Sequence, residues 1–269
     1  MLKTDTPTYV LAADIGGSNI VAGLYNTQSR MIEQQTLVRT EVYSRGTAKY
    51  ILNTWAGVLE RLTENPDLPI TRLALSMPGP FDYENGISYI KGLNKYDALY
   101  GMNIRNYLAD VVQLHPSKVK FRNNAEAMIA GEVVAGAGRG YDRVMGITLG
   151  TGFGSAMYNR QTTIDLNLGS KAFKTAIADD FLSSRWLVKE YYEMTGLSVT
   201  GVKDLADIAD ESPLVRDIFK RFAINMSDFL MQPIFAHQPQ VLVICGNIAR
   251  ASRLFLPVFK KRCNTIEVR

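Results

Sequence analysis

The chain has 269 residues, 46% of them hydrophobic and 21% charged, with a mean hydropathy of −0.04. That balance belongs to a folded globular protein and excludes a disordered one. The length predicts two domains, or one large domain of two lobes, because a single core seldom grows past ~250 residues. Lys and Arg number 30 and Asp and Glu 26, a net charge of +4. This suits a phosphate-bearing small ligand and is too little for a nucleic-acid surface. Cys245 and Cys263 form no Cys-x-x-Cys pair and no disulfide framework, which fits a reducing compartment. Met1-Leu2-Lys3-Thr4-Asp5-Thr6-Pro7 has no apolar stretch of signal-peptide length. No apolar run reaches the ~18 residues of a membrane span. The expectation is a soluble, cytoplasmic protein.

Along the chain, residues 9–13 form a short apolar run that ends in Asp14-Ile15-Gly16-Gly17-Ser18-Asn19, and a second run covers 20–25. The glycines therefore sit in a tight turn between two strands. Over 47–62, Ile51, Leu52, Trp55, Val58, Leu59 and Leu62 fall on one stripe of an amphipathic helix, which Asn65-Pro66-Asp67-Leu68-Pro69 breaks. Residues 73–77 read as a buried strand running into Pro78-Gly79-Pro80, a loop no helix can enter. Residues 119–122 form another strand, and Asn123 or Asn124 caps a helix over 125–135.

Residues 143–149 form a strand, followed by Gly150-Thr151-Gly152-Phe153-Gly154 and a returning strand over 155–158. This repeats the N-terminal hairpin and hints at an internal duplication. Helical apolar spacing covers 181–196 and 215–235, the second ending at Pro233. Residues 241–245 are a buried strand leading to Gly246-Asn247, and 249–259 a helix. Alternating strands and helices give an α/β protein. No linker separates independent domains. Trp55, Trp186 and the Phe219 region read as core, and Lys260-Lys261-Arg262 as a solvated helix end that suits the helix dipole.

Three glycine turns, each directly after a strand, carry the chemical signal. Glycine admits a phosphate close to the backbone, and adjacent N–H groups form anion-binding nests. Asp14 adds a carboxylate able to hold Mg²⁺ through its water shell. Thr151 adds a hydroxyl, and Gly246-Asn247 lets a flat group lie against the backbone. Each turn alone also reads as a plain tight turn. Together they point to nucleotide binding.

Asp14-Ile15-Gly16-Gly17-Ser18-Asn19, Pro78-Gly79-Pro80, Asn123-Asn124-Ala125-Glu126-Ala127, Leu149-Gly150-Thr151-Gly152-Phe153-Gly154 and Cys245-Gly246-Asn247 stand in an order that resembles the ROK family (repressors, open reading frames and sugar kinases). That family lies within the actin-like ATPase and sugar kinase superfamily. The match is weaker over 160–235, where Ile177-Ala178-Asp179-Asp180-Phe181 and Arg185-Trp186 mark a divergent sub-branch. The resemblance implies a two-lobed actin-like ATPase (ribonuclease H-like) α/β fold and an ATP- and Mg²⁺-dependent carbohydrate kinase. Asp14, Gly16, Gly17, Ser18 and Asn19 would form the first phosphate loop, with Asp14 also holding Mg²⁺. Gly150, Thr151 and Gly152 would form the second loop, and Gly246 and Asn247 would lie near the adenosine. Gly79, Asn94, Asn123 and Asn124 would line the sugar pocket. The lobes would be 1–112 and 113–269, the extreme C-terminus returning to the first. Phosphoryl transfer depends on positioning and charge neutralisation, which these parts supply.

Four departures from the family pattern matter. Asn124 stands where the family has its aspartate general base, and a carboxamide accepts no proton at neutral pH. Glu126 faces away along the helix, and Asp82 is the other conceivable substitute. Asn124 is either a binder of a sugar hydroxyl or a helix cap. The family's Gly-Glu-x-Gly-His motif has no counterpart, Asn167 being the nearest polar residue. Its zinc cluster needs one His and three Cys, whereas this chain has His115 and His237, read as surface residues, and two separated cysteines, so no structural zinc is expected. The chain also stops soon after the last helix, where the family adds a further element. The expectation is a cytoplasmic, homodimeric sugar kinase weakened by Asn124, or else a non-catalytic sugar and nucleotide sensor. A helix-turn-helix regulator is disfavoured, because the strand at Tyr9 leaves no room for that motif. Nucleic acid and membrane are not expected partners.

Overall fold

The computed structural model describes residues 7–65, 68–93 and 95–269. The segment read for a leader, up to Thr6, and the helix-breaking Pro66-Asp67 lie outside the described residues. Contacts divide the chain into two units, Met1–Asn124 and Ala125–Arg269.

The first unit is built on a six-stranded sheet. β1 (Tyr9–Ile15) and β2 (Asn19–Asn26) form an antiparallel hairpin, and β3 (Met31–Ile32) and β4 (Val38–Glu41) pair with β2. Tyr9, Leu11, Ala13 and Ile15 alternate into the core, the period-2 burial of a strand. α1 (Ala48–Thr63) starts where the Thr47 hydroxyl accepts the Tyr50 N–H at 3.2 Å. It buries Ile51, Leu52, Trp55, Val58, Leu59 and Leu62, the stripe its spacing predicts. β5 (Ile70–Met77) lies parallel to β1. The short hairpin of β6 (Phe81–Asp82) and β7 (Ile87–Ser88) and then α2 (Ile104–Val111) lead to β8 (Val119–Asn123), parallel to β5. The division expected after residue 112 thus gives way to one after Asn124, because β8 completes the first sheet and carries its chain with it.

The second unit begins with α3 (Asn124–Ala135), whose first residue ends the first unit. β9 (Arg143–Leu149) and β10 (Phe153–Asn159) form its hairpin, extended by β11 (Thr162–Asp165). β12 (Ala172–Phe173) and β13 (Ala176–Ile177) make a small separate hairpin. α4 (Ser184–Thr195), α5 (Val202–Ile208) and α6 (Pro213–His237) follow, then β14 (Val241–Cys245), α7 (Ser252–Arg262) and β15 (Glu267–Val268). β14 runs parallel to β9, and β15 runs parallel to β14. The C-terminal strand therefore extends the second sheet, where a return to the first lobe was expected.

Both sheets share one plan: an antiparallel hairpin broken by a glycine turn, then two parallel strands beside its first member. The likeness read between the two hairpins thus extends to the strand order of the whole sheets. The second sheet is buried on both faces. α3 packs Ala125 and Ile129 on Val144, Ala156 and Val241. The other face meets the larger core, where Phe222 of α6 stacks edge-on against Phe255 at 5.6 Å and tilts against Trp186 at 6.1 Å. Trp55, Trp186 and Phe219 are all core residues.

Pro233 does not end α6, which continues to His237. Proline takes its own N–H from the ladder and crowds the carbonyl four residues back, a cost that tertiary packing has to offset. Ile234, 7% exposed in the core, keeps the last turn docked. α7 likewise runs through Pro257 and starts after a 3-10 turn over Asn247–Ala251.

Two glycines are fixed by packing. A Cβ on Gly146 would overlap Ile129 of α3, so the helix lies against bare backbone there. Gly246 has φ +94, and its Cβ would fall 2.9 Å from the Leu149 carbonyl carbon. Thermal denaturation should register both. Gly146→Ala should lose about 1–3 kcal/mol, the usual penalty of overpacking, and Ile129→Ala in the same chain should recover part of it. Gly246→Ala should destabilise more, with no side-chain truncation able to relieve it, because its obstacle is backbone.

Candidate functional site

In the first unit the predicted residues gather at the carboxyl ends of β1, β5 and β8, where parallel sheets bind ligands. Asp14 is exposed and faces Ser76 across the β1–β5 register, the Ser76 hydroxyl donating to Oδ1. The second oxygen of Asp14 has no partner among the described residues. The Gly16 N–H donates to the Asn19 carbonyl at 2.8 Å, closing the turn. The Tyr96 hydroxyl donates to the Gly16 carbonyl at 2.6 Å. Tyr96 is fully buried against Trp55, and burial pushes its phenol pKa well above the usual value. The Val42 N–H donates to the Ser18 carbonyl at 2.8 Å. The carbonyls of Gly16 and Ser18 are thus satisfied from inside, while the N–H groups of Gly17 and Ser18 meet no acceptor among the described residues. A Cβ on Gly17 would meet nothing within 4 Å, so the protein itself does not require glycine there.

Asn124, at the start of α3, donates its Nδ2 to the Ile15 carbonyl at 2.9 Å. Its Oδ1 is buried without a hydrogen-bond partner. The side chain is therefore turned onto the end of β1 and does not cap its helix. Asn123 donates from Nδ2 to the Tyr83 hydroxyl at 3.1 Å, and Tyr83 donates to the Met77 carbonyl at 3.1 Å. A Cβ on Gly79 would fall 3.2 Å from the same hydroxyl. Tyr83 thus joins Gly79 and Asn123, two of the residues assigned to the sugar pocket. Asn94 lies outside the described residues.

In the second unit Gly150-Thr151-Gly152 and Gly246-Asn247 follow β9 and β14, and Cys245, the last residue of β14, pairs with Thr148, one residue before the end of β9. The Gly150 N–H donates to the Gly152 carbonyl at 3.0 Å. The Ser184 N–H, at the start of α4, donates to the Gly150 carbonyl at 2.8 Å. The Phe153 N–H donates to Asp179, which also takes a hydrogen bond from Arg185. Thr151 and Gly152 are exposed, and their N–H groups meet no acceptor among the described residues. Asn247 is exposed in the turn after Gly246.

The alternative bases are engaged elsewhere. Asp82 accepts the Asn85 side-chain and backbone N–H groups, which hold its carboxyl below the usual range. Glu126 accepts the Asp165 N–H at 2.7 Å. Asn167 sits in a left-handed turn, its N–H donating to Asp165 at 2.7 Å. Cys263 is buried against the Met231 sulfur at 3.5 Å, and burial pushes the Cys245 thiol up to about 12. Among the described residues no three His, Cys, Asp or Glu side chains cluster as a metal site, and no helix is long and apolar enough to cross a membrane.

Ser76, Tyr83, Tyr96 and Asp179 were not assigned a role from sequence. Their partners lie 62, 40, 80 and 26 residues away, a separation no local pattern encodes.

The chain matches the ROK family model over residues 10–166. A glucokinase from Thermotoga maritima is 24% identical over 284 aligned residues, covering 94% of this chain and 86% of that one. Among solved structures, a ROK-family glucokinase from Streptomyces griseus in complex with glucose and AMPPNP superposes with a TM-score of 0.79 at 19% identity. It covers 97% of this chain and 93% of its own. A ROK-family transcriptional regulator superposes with a TM-score of 0.80 at 14% identity, over 96% of this chain and 70% of its own. At these identities the structures establish the fold, that of the solved ROK kinases, and leave the chemistry to the site. The family model spans more than half of the chain and takes in every glycine-turn residue from Gly16 to Gly152: the chain belongs to the ROK family.

Proposed function

We propose that this chain is a carbohydrate kinase by lineage, binding a sugar and ATP with Mg²⁺, in which Asn124 makes phosphoryl transfer slow. The observation that carries the reading is the pair of glycine turns in each of which two carbonyls are satisfied by the protein, while two exposed N–H groups meet no acceptor among the described residues. A backbone so arranged is short of acceptors, which phosphate oxygens provide. Related ROK proteins include a glucokinase solved with glucose and AMPPNP and an N-acetyl-D-glucosamine kinase from Mannheimia succiniciproducens, 26% identical over 54% of this chain.

In this reading Gly17 and Ser18, and Thr151 and Gly152, direct their N–H groups at the phosphates. Asp14, with one oxygen held by Ser76 and the other open, is a hard-oxygen donor that suits Mg²⁺ through its water shell. The ion would supply charge neutralisation on the phosphate oxygens. Asn247 lies beside the adenosine. Asn123, oriented by Tyr83, and the Gly79 loop hold the sugar. Asn124 offers an N–H toward the Ile15 carbonyl where a kinase needs a proton acceptor. Without the base, a factor of ~10²–10⁴ in rate is lost. The reading further takes the protein as cytoplasmic and homodimeric, with small molecules as its partners in place of nucleic acid or membrane.

The engaged amide of Asn124 also favours a second reading, a sugar and nucleotide sensor that does not turn over. The fold accommodates this, since a transcriptional regulator shares it.

Calorimetric titration with ATP or ADP and Mg²⁺ should show saturable binding in the micromolar to millimolar range usual for such ligands. Gly150→Leu should weaken it with little change in melting temperature, since a Cβ there would meet only the Gly152 carbonyl oxygen, at 4.0 Å. Absence of heat with any purine nucleotide at millimolar concentration removes the kinase and nucleotide-sensor readings together.

Asn124→Asp discriminates the two. A carboxylate cannot donate to Ile15, so the variant should melt lower, by about the 1–3 kcal/mol of a lost buried bond. On the correct sugar it should raise kcat by ~10²-fold or more while leaving KM nearly unchanged, the mark of a group acting in the transition state. A wild-type chain turning over at ~1–100 s⁻¹ would mean that Asn124 does not occupy the base position. A variant that binds both ligands and stays inert establishes the sensor.

A further inference from the structure

Asp179 puts a negative charge against a turn that, under the function proposed above, receives an anion. Its Oδ1 accepts the Phe153 N–H and lies 3.0 Å from where a Cβ of Gly152 would be. A bare carboxylate there would repel phosphate over a few ångströms. Its other oxygen pairs with Arg185, whose side chain is 57% exposed while that of Asp179 is 22% exposed. The location of the pair is imposed by packing. Asp179 lies in the 3-10 turn Ala178–Asp180, held by fully buried Ala178 and Leu182. Arg185 stands in the first turn of α4, whose Ser184 N–H already fastens the Gly150 carbonyl.

We propose that Asp179 is a positioning residue for the second glycine turn and that Arg185 is the cation that makes this turn receptive to phosphate. The proposal rests on nucleotide binding at that turn. Asp179 fixes the Phe153 N–H, so the free donors are left at Thr151 and Gly152. Arg185 cancels the charge that this fixation introduces and, with more than half of its side chain exposed, has room to turn toward an incoming phosphate oxygen. A guanidinium suits both partners, since carboxylate and phosphate present the same pair of oxygens to its fork.

The test uses the full chain and a ligand series of rising charge: adenosine, ADP and ATP, each with Mg²⁺. Arg185→Gln should weaken ATP by about tenfold, the scale of one unit charge a few ångströms away in a partly exposed site. It should weaken ADP less and leave adenosine unchanged. The loss should shrink as salt is raised. Asp179→Asn keeps an oxygen for the Phe153 N–H, releases Arg185 and should tighten ATP. Asp179→Asn with Arg185→Gln should return ATP affinity to within about threefold of the parent chain, because the uncompensated charge is gone. A purely structural pair would behave otherwise: Arg185→Gln would affect all three ligands alike or none, and Asp179→Asn would not rescue it. Either result, with the parent chain binding ATP, overturns the pairing and leaves the function standing. A parent chain that binds no nucleotide overturns both.

Discussion

The β1–β2 and β9–β10 hairpins meet one constraint: the glycine turn interrupts the ladder, and its backbone groups must find partners elsewhere. The chain meets it with distant residues. In the first unit Asn124 serves the Ile15 carbonyl, Tyr96 the Gly16 carbonyl and Val42 the Ser18 carbonyl. In the second, Ser184 serves the Gly150 carbonyl and Asp179 the Phe153 N–H. What stays unmatched are the exposed N–H groups at the tips. In the first turn every partner consumes a carbonyl; in the second, Ser184 consumes a carbonyl and Asp179 a donor.

That accounting also explains what could be read from sequence. β9 and β14 fall on 143–149 and 241–245 as expected, and α1 covers the stripe from Ile51 to Leu62, because apolar period and glycine position are local signals. The glycine turns were legible on the same grounds. Tyr96, Tyr83, Ser76 and Asp179 were not, since a tyrosine or aspartate in a loop carries no mark of the carbonyl or N–H it will meet. The division after Asn124 was missed because membership of β8 in the first sheet depends on its pairing with β5. The run of α6 past Pro233 was missed because tertiary packing of Ile234 outweighs one absent donor.

The two sheets follow one topology, yet their turns are braced differently. The first is held by neutral hydroxyl, amide and backbone donors. The second is held by a backbone donor and a carboxylate, and the carboxylate is paired with a cation. Arg185 therefore follows electrostatically from Asp179. The segment read from sequence as marking a divergent sub-branch, around Ile177-Ala178-Asp179-Asp180-Phe181 and Arg185-Trp186, is the one that braces the second glycine turn.

Asn124 brings structure and chemistry into conflict at a single atom. Its Nδ2 ties the start of α3 to the end of β1, directly before the first glycine turn. An aspartate in this rotamer would bring a carboxylate oxygen against the Ile15 carbonyl oxygen, and the two would repel. A chain with the base must therefore satisfy Ile15 by another route or turn the carboxylate away. The present chain does neither, and it leaves the amide oxygen buried without a donor. The bond that steadies the first loop and the absence of a proton acceptor are consequences of the same amide. Under the proposed function, the amide that fastens the end of β1 is the same group that denies the site a proton acceptor.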